Sequence, residues 1–154
     1  MKRIEANDPA AMVDMGLYLC EDGDFDGAFE YLTKAAELGH ADAHNMLALM
    51  YQYGKGVEKD AEQEVYHLEE AAIGGHCGSR HNLGCLEWLN GRLDRAVKHF
   101  IIAANLGFQN SLNGLKHLYA DGHASKEDYA GALRAYQAAV NATKSSEREK
   151  AEEK

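Results

Sequence analysis

The apolar and small residues of this chain fall at helical spacing, and the same spacing returns four times. Ala35-Ala36-Glu37-Leu38-Gly39-His40 recurs as Ala71-Ala72-Ile73-Gly74-Gly75-His76 and as Ala103-Ala104-Asn105-Leu106-Gly107-Phe108, with a weaker copy at Ala139-Val140-Asn141-Ala142-Thr143. The marker positions Asn7, Gly39, Gly75, Gly107 and Thr143 lie 32, 36, 32 and 36 residues apart, so short and long units alternate. A superperiod of 68 therefore aligns Gly16 with Gly84, Gly23 with Gly91, Tyr51 with Tyr119 and Gly54 with Gly122, among others. Self-similarity of this length is the signature of a repeat architecture.

Each unit predicts two helices, A and B. In helix A the columns Ala11/Ala43/Ser79/Ser111, Met15/Leu47/Leu83/Leu115, Gly16/Ala48/Gly84/Lys116 and Leu19/Tyr51/Glu87/Tyr119 are spaced i, i+4, i+5, i+8. In helix B the columns Ala28/Glu64/Ala96/Ala132, Leu32/Leu68/Phe100/Tyr136, Ala35/Ala71/Ala103/Ala139 and Ala36/Ala72/Ala104/Val140 are spaced i, i+4, i+7, i+8. Both spacings place one stripe on one helix face. Small residues let neighbouring helices approach closely while large ones fill the gaps. A lone hairpin leaves half its apolar face wet, so the units must stack.

The punctuation agrees with this division. Asp8 before Pro9 is an N-cap with proline at the first helical position. Gly39, Gly75 and Gly107 stand where each B helix stops, as expected for residues at positive φ. The short units turn at Asp22-Gly23-Asp24 and Asn90-Gly91, while Asp60 and Ser125-Lys126-Glu127-Asp128 cap B helices in the long units. Past Thr143 the tail has no apolar stripe and reads as a frayed helical extension or a disordered end.

The second unit reads Ala48-Leu49-Met50-Tyr51, then Gly54-Lys55-Gly56-Val57-Glu58-Lys59-Asp60, then Glu69-Glu70-Ala71-Ala72 and Gly75. It resembles the Sel1-like repeat, with its Leu-Gly-x-x-Tyr helix, Gly-x-Gly-Val-x-x-Asp loop and closing Lys-Ala-Ala-x-x-Gly. The short units, with Gly23-Asp24-Phe25-Asp26-Gly27-Ala28, look closer to the tetratricopeptide relative. The resemblance implies an all-α, right-handed α-α superhelix (a solenoid) of four helical hairpins with alternating repeats of 32 and 36. One repeat domain would span 7–143, with repeats near 7–38, 39–74, 75–106 and 107–142, followed by a charged tail at 144–154. Departures from the pattern are Glu64 in a small column, His67-Leu68 where the family shows Trp-Tyr, and Lys116 and Glu87 in apolar columns. Unit four's loop, Gly122-His123-Ala124-Ser125, lacks the second glycine and the valine.

The same resemblance implies a non-catalytic adaptor or scaffold that binds a protein or peptide. In related solenoids helix A lines a concave groove, so the A-helix residues outside the core columns are the groove candidates. They are Val13, Leu17, Asn45, Leu49, Gln52, Tyr53, His81, Cys85, Trp88, Asn113 and His117, with Trp88 and Tyr53 as aromatic anchors. Asn45 and Asn113 share a column and suit bonding to a peptide backbone. Leu49, Cys85 and Trp88 also fit a plainer role as packing between adjacent A helices. The alternative function is a structural module of a larger solenoid, or self-association through an exposed N-terminal repeat carrying Met12, Met15 or Tyr18.

Composition narrows the partner class. A net charge of −9 repels phosphate backbones and anionic lipid, which disfavours nucleic acid and membrane surfaces as partners. No apolar stretch nears the roughly 20 residues needed to cross a bilayer. Met1-Lys2-Arg3-Ile4-Glu5 has no hydrophobic core, so no secretory signal is expected. Cys77 and Cys85 on one helix would sit about 12 Å apart, beyond the reach of a disulfide. With Cys20 they make an odd count, which points to reduced thiols in a cytoplasmic or otherwise reducing compartment.

Eight histidines raise the question of a metal. No Cys-x-x-Cys or His-Glu-x-x-His pattern occurs, His40 and His44 straddle a turn, and His76 and His81 splay around a helix. No metal or other cofactor is expected. His81 lies within a helical turn of both Cys77 and Cys85 but has no oxyanion partner, so no catalysis is expected either.

Overall fold

A computed structural model of the chain describes residues 8–153; residues 1–7, Asn7 among them, and Lys154 lie outside the described residues. Eight α-helices and no strand occur among the described residues. They are α1 (Pro9–Glu21), α2 (Phe25–Glu37), α3 (Ala41–Tyr53), α4 (Ala61–Ile73), α5 (Cys77–Leu89), α6 (Leu93–Asn105), α7 (Gln109–Ala120) and α8 (Lys126–Glu152). Odd-numbered helices correspond to helix A of each repeat and even-numbered ones to helix B. The all-α hairpin repeat expected from the pattern is the observed fold.

The chain divides into two compact units, one ending at Ser79 and the other starting at Arg80, so the boundary falls inside α5. In unit 1 the hairpins α1/α2 and α3/α4 form, and α2 packs on α3. In unit 2, α6 packs on both α7 and α8, and α7 pairs with α8.

Caps set the helix starts. The Asp8 carboxylate accepts from the amides of Ala10 and Ala11. Asp24 accepts from Gly27, and Asp60 from Glu62 and Gln63. Ser125 and Asp128 close a reciprocal capping box at the start of α8. Each satisfies amides that the first helical turn leaves without an intrahelical partner. Past the last half-buried residue, Val140, α8 continues as exposed helix to Glu152, so of the two expectations for the tail the helical extension is what forms.

Both cores are built on one contact. In unit 1 the fully buried Leu32 of α2 sits directly on Gly16 of α1, where an added Cβ would lie 2.8 Å from the Leu32 side chain. In unit 2 the fully buried Phe100 of α6 sits on Gly84 of α5, where a Cβ would lie 2.7 Å from the ring, and on Gly114 of α7 at 3.2 Å. Val13, Ala28, Ala35, Ala36, Leu47 and Met50 close around the first contact. Ala96, Val97, Ala104, Leu112, Leu115, Leu118 and Ala132 close around the second, with Trp88 edge-on to Phe100 at 5.9 Å.

Unit 1 also buries a histidine pair. Nδ1 of the buried His44 (α3) lies 2.9 Å from Nδ1 of His67 (α4), so one imidazole donates and the other accepts. The His67 ring stacks on Tyr51 at 5.7 Å, and Tyr51 meets Phe29 edge-on. His67 thus fills the ring position that the sequence resemblance gives to tryptophan. Burial, and then the charge His44 would carry, push His67 down to about 4. Burial lowers His44 as well, against a raising pull from Glu70. Both rings are therefore neutral at pH 7.

Two expectations follow from this packing. Phe100→Ala should cost about 3–5 kcal/mol in chemical denaturation, as for other buried aromatic truncations. Gly84→Ala should destabilise the wild type, because overpacking at about 1–3 kcal/mol outweighs a helix-propensity gain of under 1 kcal/mol. In the Phe100→Ala background the same change should be neutral or stabilising, and additive values in the double-mutant cycle would refute the contact.

The histidine pair predicts acid sensitivity. Unfolded imidazoles titrate near 6.5, so between that pH and about 4 the unfolded chain binds more protons than the folded one. Stability is full above pH 6.5 and falls as pH drops through that window, by about 1–2 kcal/mol once partial solvent screening is allowed for. His67→Phe, which retains a ring against Tyr51, should flatten the slope of unfolding free energy in a pH series of denaturant titrations. An unchanged slope would show that His67 does not couple to folding.

Candidate functional site

Close seating of α2 on α1 turns one stripe of each A helix inward and leaves another outward. On α3 the inward stripe is Ala43, His44, Leu47, Ala48 and Met50, which leaves Leu49, Gln52 and Tyr53 facing out. Leu49 is 38% exposed and Tyr53 61%, and on α1 Leu17 is 45% exposed. Large apolar groups left wet on a folded surface mark candidate contact points.

Leu49 and Tyr53 are not isolated. With Cys20, Phe25, Leu32, Met46, Met50 and Lys55 they line an apolar cleft of about 150 Å³ in unit 1. A dry cavity of that order accommodates a benzene-sized group. Its walls come from the end of α1, the start of α2, the last turns of α3 and the loop after α3. That loop is pinned by Gly56, whose φ is 74° and whose missing Cβ would lie 2.8 Å from the Phe25 carbonyl oxygen. No other residue satisfies both the left-handed backbone and the contact. Lys55 places its ammonium 5.4 Å from the centre of the Phe25 ring, and Val57 packs into the core. Burial pushes the Cys20 thiol up, so it lines the cleft as an uncharged SH.

The remaining A-helix candidates divide by burial. Val13 is 7% exposed and belongs to the core around Leu32, so it is corrected from surface to core. The reason is geometric: Val13, Gly16 and Cys20 share one face of α1, and that face is pressed on α2. Asn45 is half-buried, and its side-chain oxygen accepts from the Ser79 hydroxyl at 2.9 Å. Its column mate Asn113 is exposed on α7, as is His117. Trp88 and Cys85 are half-buried against the Phe100 core.

His81, Cys85 and Ser111 form a chain of polar contacts in unit 2. His81 Nδ1 lies 2.8 Å from the Ser111 hydroxyl, and its Nε2 lies 3.4 Å from Cys85 Sγ. A nucleophilic thiol next to histidine requires a depressed thiol pKa and a charged imidazole. Here burial does the reverse: it pushes the Cys85 thiol up and the His81 imidazole down. The ring instead packs between Phe100 and Phe108, so the chain holds the hairpin together. Glu87, polar in an aromatic column, pairs with Arg92 across the α5–α6 turn.

Among the described residues no group of three or more His, Cys, Asp or Glu side chains could hold a metal ion. All three cysteines are free thiols. No helix among the described residues is long and apolar enough to cross a membrane. Sequence reasoning found the outer wall of the cleft, Leu49 and Tyr53, but not Cys20, Phe25, Met46 or Lys55. A signal for Cys20 existed, because it shares the A-helix column that supplies Gln52 and Trp88.

Known proteins place this arrangement in context. The Sel1 repeat model matches residues 9–40, 41–76 and 81–108, which is more than half of the chain. An uncharacterized protein of Neisseria meningitidis serogroup B is 32% identical over 117 residues, covering 76% of this chain and 25% of its own length. The crystal structure of a Sel1 repeat protein from Oxalobacter formigenes superposes with a TM-score of 0.70 at 31% identity, covering 88% of this chain and 59% of that one. A protective antigen of uropathogenic Escherichia coli strains, which displays an SLR fold, superposes with a TM-score of 0.67 at 26% identity, covering 84% and 30%. The chain thus spans between a quarter and three fifths of the length of these relatives. It belongs to the Sel1 repeat family, whose members are generally non-enzymatic protein–protein interaction modules.

Proposed function

We propose that this chain is a non-catalytic adaptor that holds a peptide or a helix of a partner protein against the outward sides of its A helices. The observation that carries this reading is the cleft in unit 1, where two large side chains, Leu49 and Tyr53, remain exposed beside apolar walls. In unit 2, by contrast, His81, Cys85 and Ser111 are spent on internal contacts. Leu17 and Gln52 are exposed on the A helices of the same unit and suit the polar and apolar surround of such an anchor. The coarser assignment to protein binding agrees with the family.

A second reading is self-association. It is supported by Tyr18 on α1, which is 63% exposed, while Met12 and Met15 are half-buried. Sedimentation equilibrium over a hundredfold concentration range separates the two, because self-association demands a mass that rises with concentration and falls back in Tyr18→Ala.

Leu49→Ala with Tyr53→Ala should leave the thermal midpoint within a few degrees of wild type, since both side chains lie outside the buried core. The same pair should weaken binding of a displayed-peptide ligand by roughly tenfold or more, as expected for the removal of anchor residues. Ligands that bind the double variant as tightly as the wild type would remove the cleft from the binding surface.

A further inference from the structure

The charge of the chain is unevenly placed. Sixteen acidic and five basic side chains precede Arg80, while nine acidic and eleven basic ones follow from it onward, so unit 1 carries −11 and unit 2 carries +2. The acidic groups of unit 1 are not neutralised internally. Among its described residues the one ion pair is His76 with Asp42, at 3.7 Å. Asp8, Asp24 and Asp60 are engaged in helix caps, which leaves most carboxylates of the unit facing water.

Part of this charge borders one side of the cleft, while another side carries Lys55 and, against Gly54, Lys59. The turn that joins Cys20 to Phe25, both of them cleft walls, carries Glu21, Asp22 and Asp24, with Asp26 next to Phe25, and all four are exposed. The cleft is also built on the last turns of α1 and α3, and neither helix has a basic residue there. Helix C-termini carry partial negative charge, so both add to the acidic potential at the mouth. Phe25 opens α2, whose N-terminal end is positive, but Asp24 and Asp26 stand at that end. Lys55 is the single cation among the cleft's lining residues, and its ammonium lies over the Phe25 ring.

Resting on the adaptor reading above, we propose that the partner of unit 1 is a basic amphipathic segment of another protein. One apolar side chain of that segment enters the Cys20/Phe25/Leu49/Tyr53 cleft, and its lysines or arginines face the Glu21–Asp26 turn. The size of the cleft admits one leucine, methionine or phenylalanine side chain, so the apolar share of the interface is small. Charge then supplies encounter and selectivity, and it does so most strongly at low salt. An acidic amphiphile drawn in by Lys55 is the opposite chemistry, and the same experiment reads it out.

The test is selection of a random 12-residue peptide display library on the full chain, followed by anisotropy measurements on the enriched peptides. The expected peptides combine one or two large apolar residues with a net positive charge. Their affinity should fall roughly tenfold between 50 and 300 mM salt. It should also fall about five- to tenfold in Glu21→Lys with Asp22→Lys, a pair that suits the end of α1 and so spares the fold. Enriched peptides that are neutral or acidic, yet lose affinity on Leu49→Ala with Tyr53→Ala, would overturn the basic partner and leave the adaptor reading standing. Peptides indifferent to the Leu49 and Tyr53 changes, or no enrichment at all, would overturn both.

Discussion

The core of each unit depends on how closely helix B approaches helix A, and in the two short repeats that distance is set by a missing side chain. Leu32 rests on Gly16 and Phe100 rests on Gly84, each in space that a single Cβ would occupy. The attraction is ordinary dispersion and loss of apolar surface, but it becomes available only because a glycine lets the larger group reach the helix backbone. Once that contact is made, the azimuth of α1 and of α5 is fixed. The face with Val13 and Gly16 must point inward on α1, while on α3 the buried stripe of Ala43, His44, Leu47, Ala48 and Met50 leaves Leu49 and Tyr53 outward. Position of the candidate site is therefore a by-product of core packing.

The same packing accounts for the state of the polar groups inside. His44 with His67, and His81 with Cys85 and Ser111, bring together residue types that serve catalysis in other settings. In this chain burial favours the neutral form of each ring and thiol. A neutral imidazole can donate at one nitrogen and accept at the other, which lets it bridge two helices without introducing a buried charge. These clusters act as hydrogen-bonded packing.

Much of the architecture was legible from residue spacing because stacked hairpins are stabilised locally. The B-helix columns Ala28, Leu32, Ala35 and Ala36 are the buried set of α2, and the caps at Asp8, Asp60 and Ser125 stand where the sequence puts them. The site was only half legible. Leu49 and Tyr53 could be found from helix periodicity, since they belong to one helix. Phe25 and Lys55 could not, because they reach the cleft through turns whose path depends on long-range contact. Val13 was misplaced by a shift of one column: a stripe of i, i+4, i+5, i+8 and one of i, i+3, i+7 differ by little on paper, and only the seat of Leu32 decides between them. His67 was visible as a departure from the family pattern, but its partner lies on another helix.

Of the cleft walls, the segment Gly54–Asp60 is the one not tied to a helical register. It reaches back to lie against Phe25, held by Gly56 under a carbonyl and Val57 in the core. Helical walls can be altered only at the expense of the packing that builds the repeat, whereas this strap is fixed at Gly56 and Val57 and can be recoloured at its other positions. The four-residue difference between short and long repeats thus separates two kinds of inheritance. The hairpins carry the architecture, and the strap is free to retune what the cleft admits as copies of the repeat diverge.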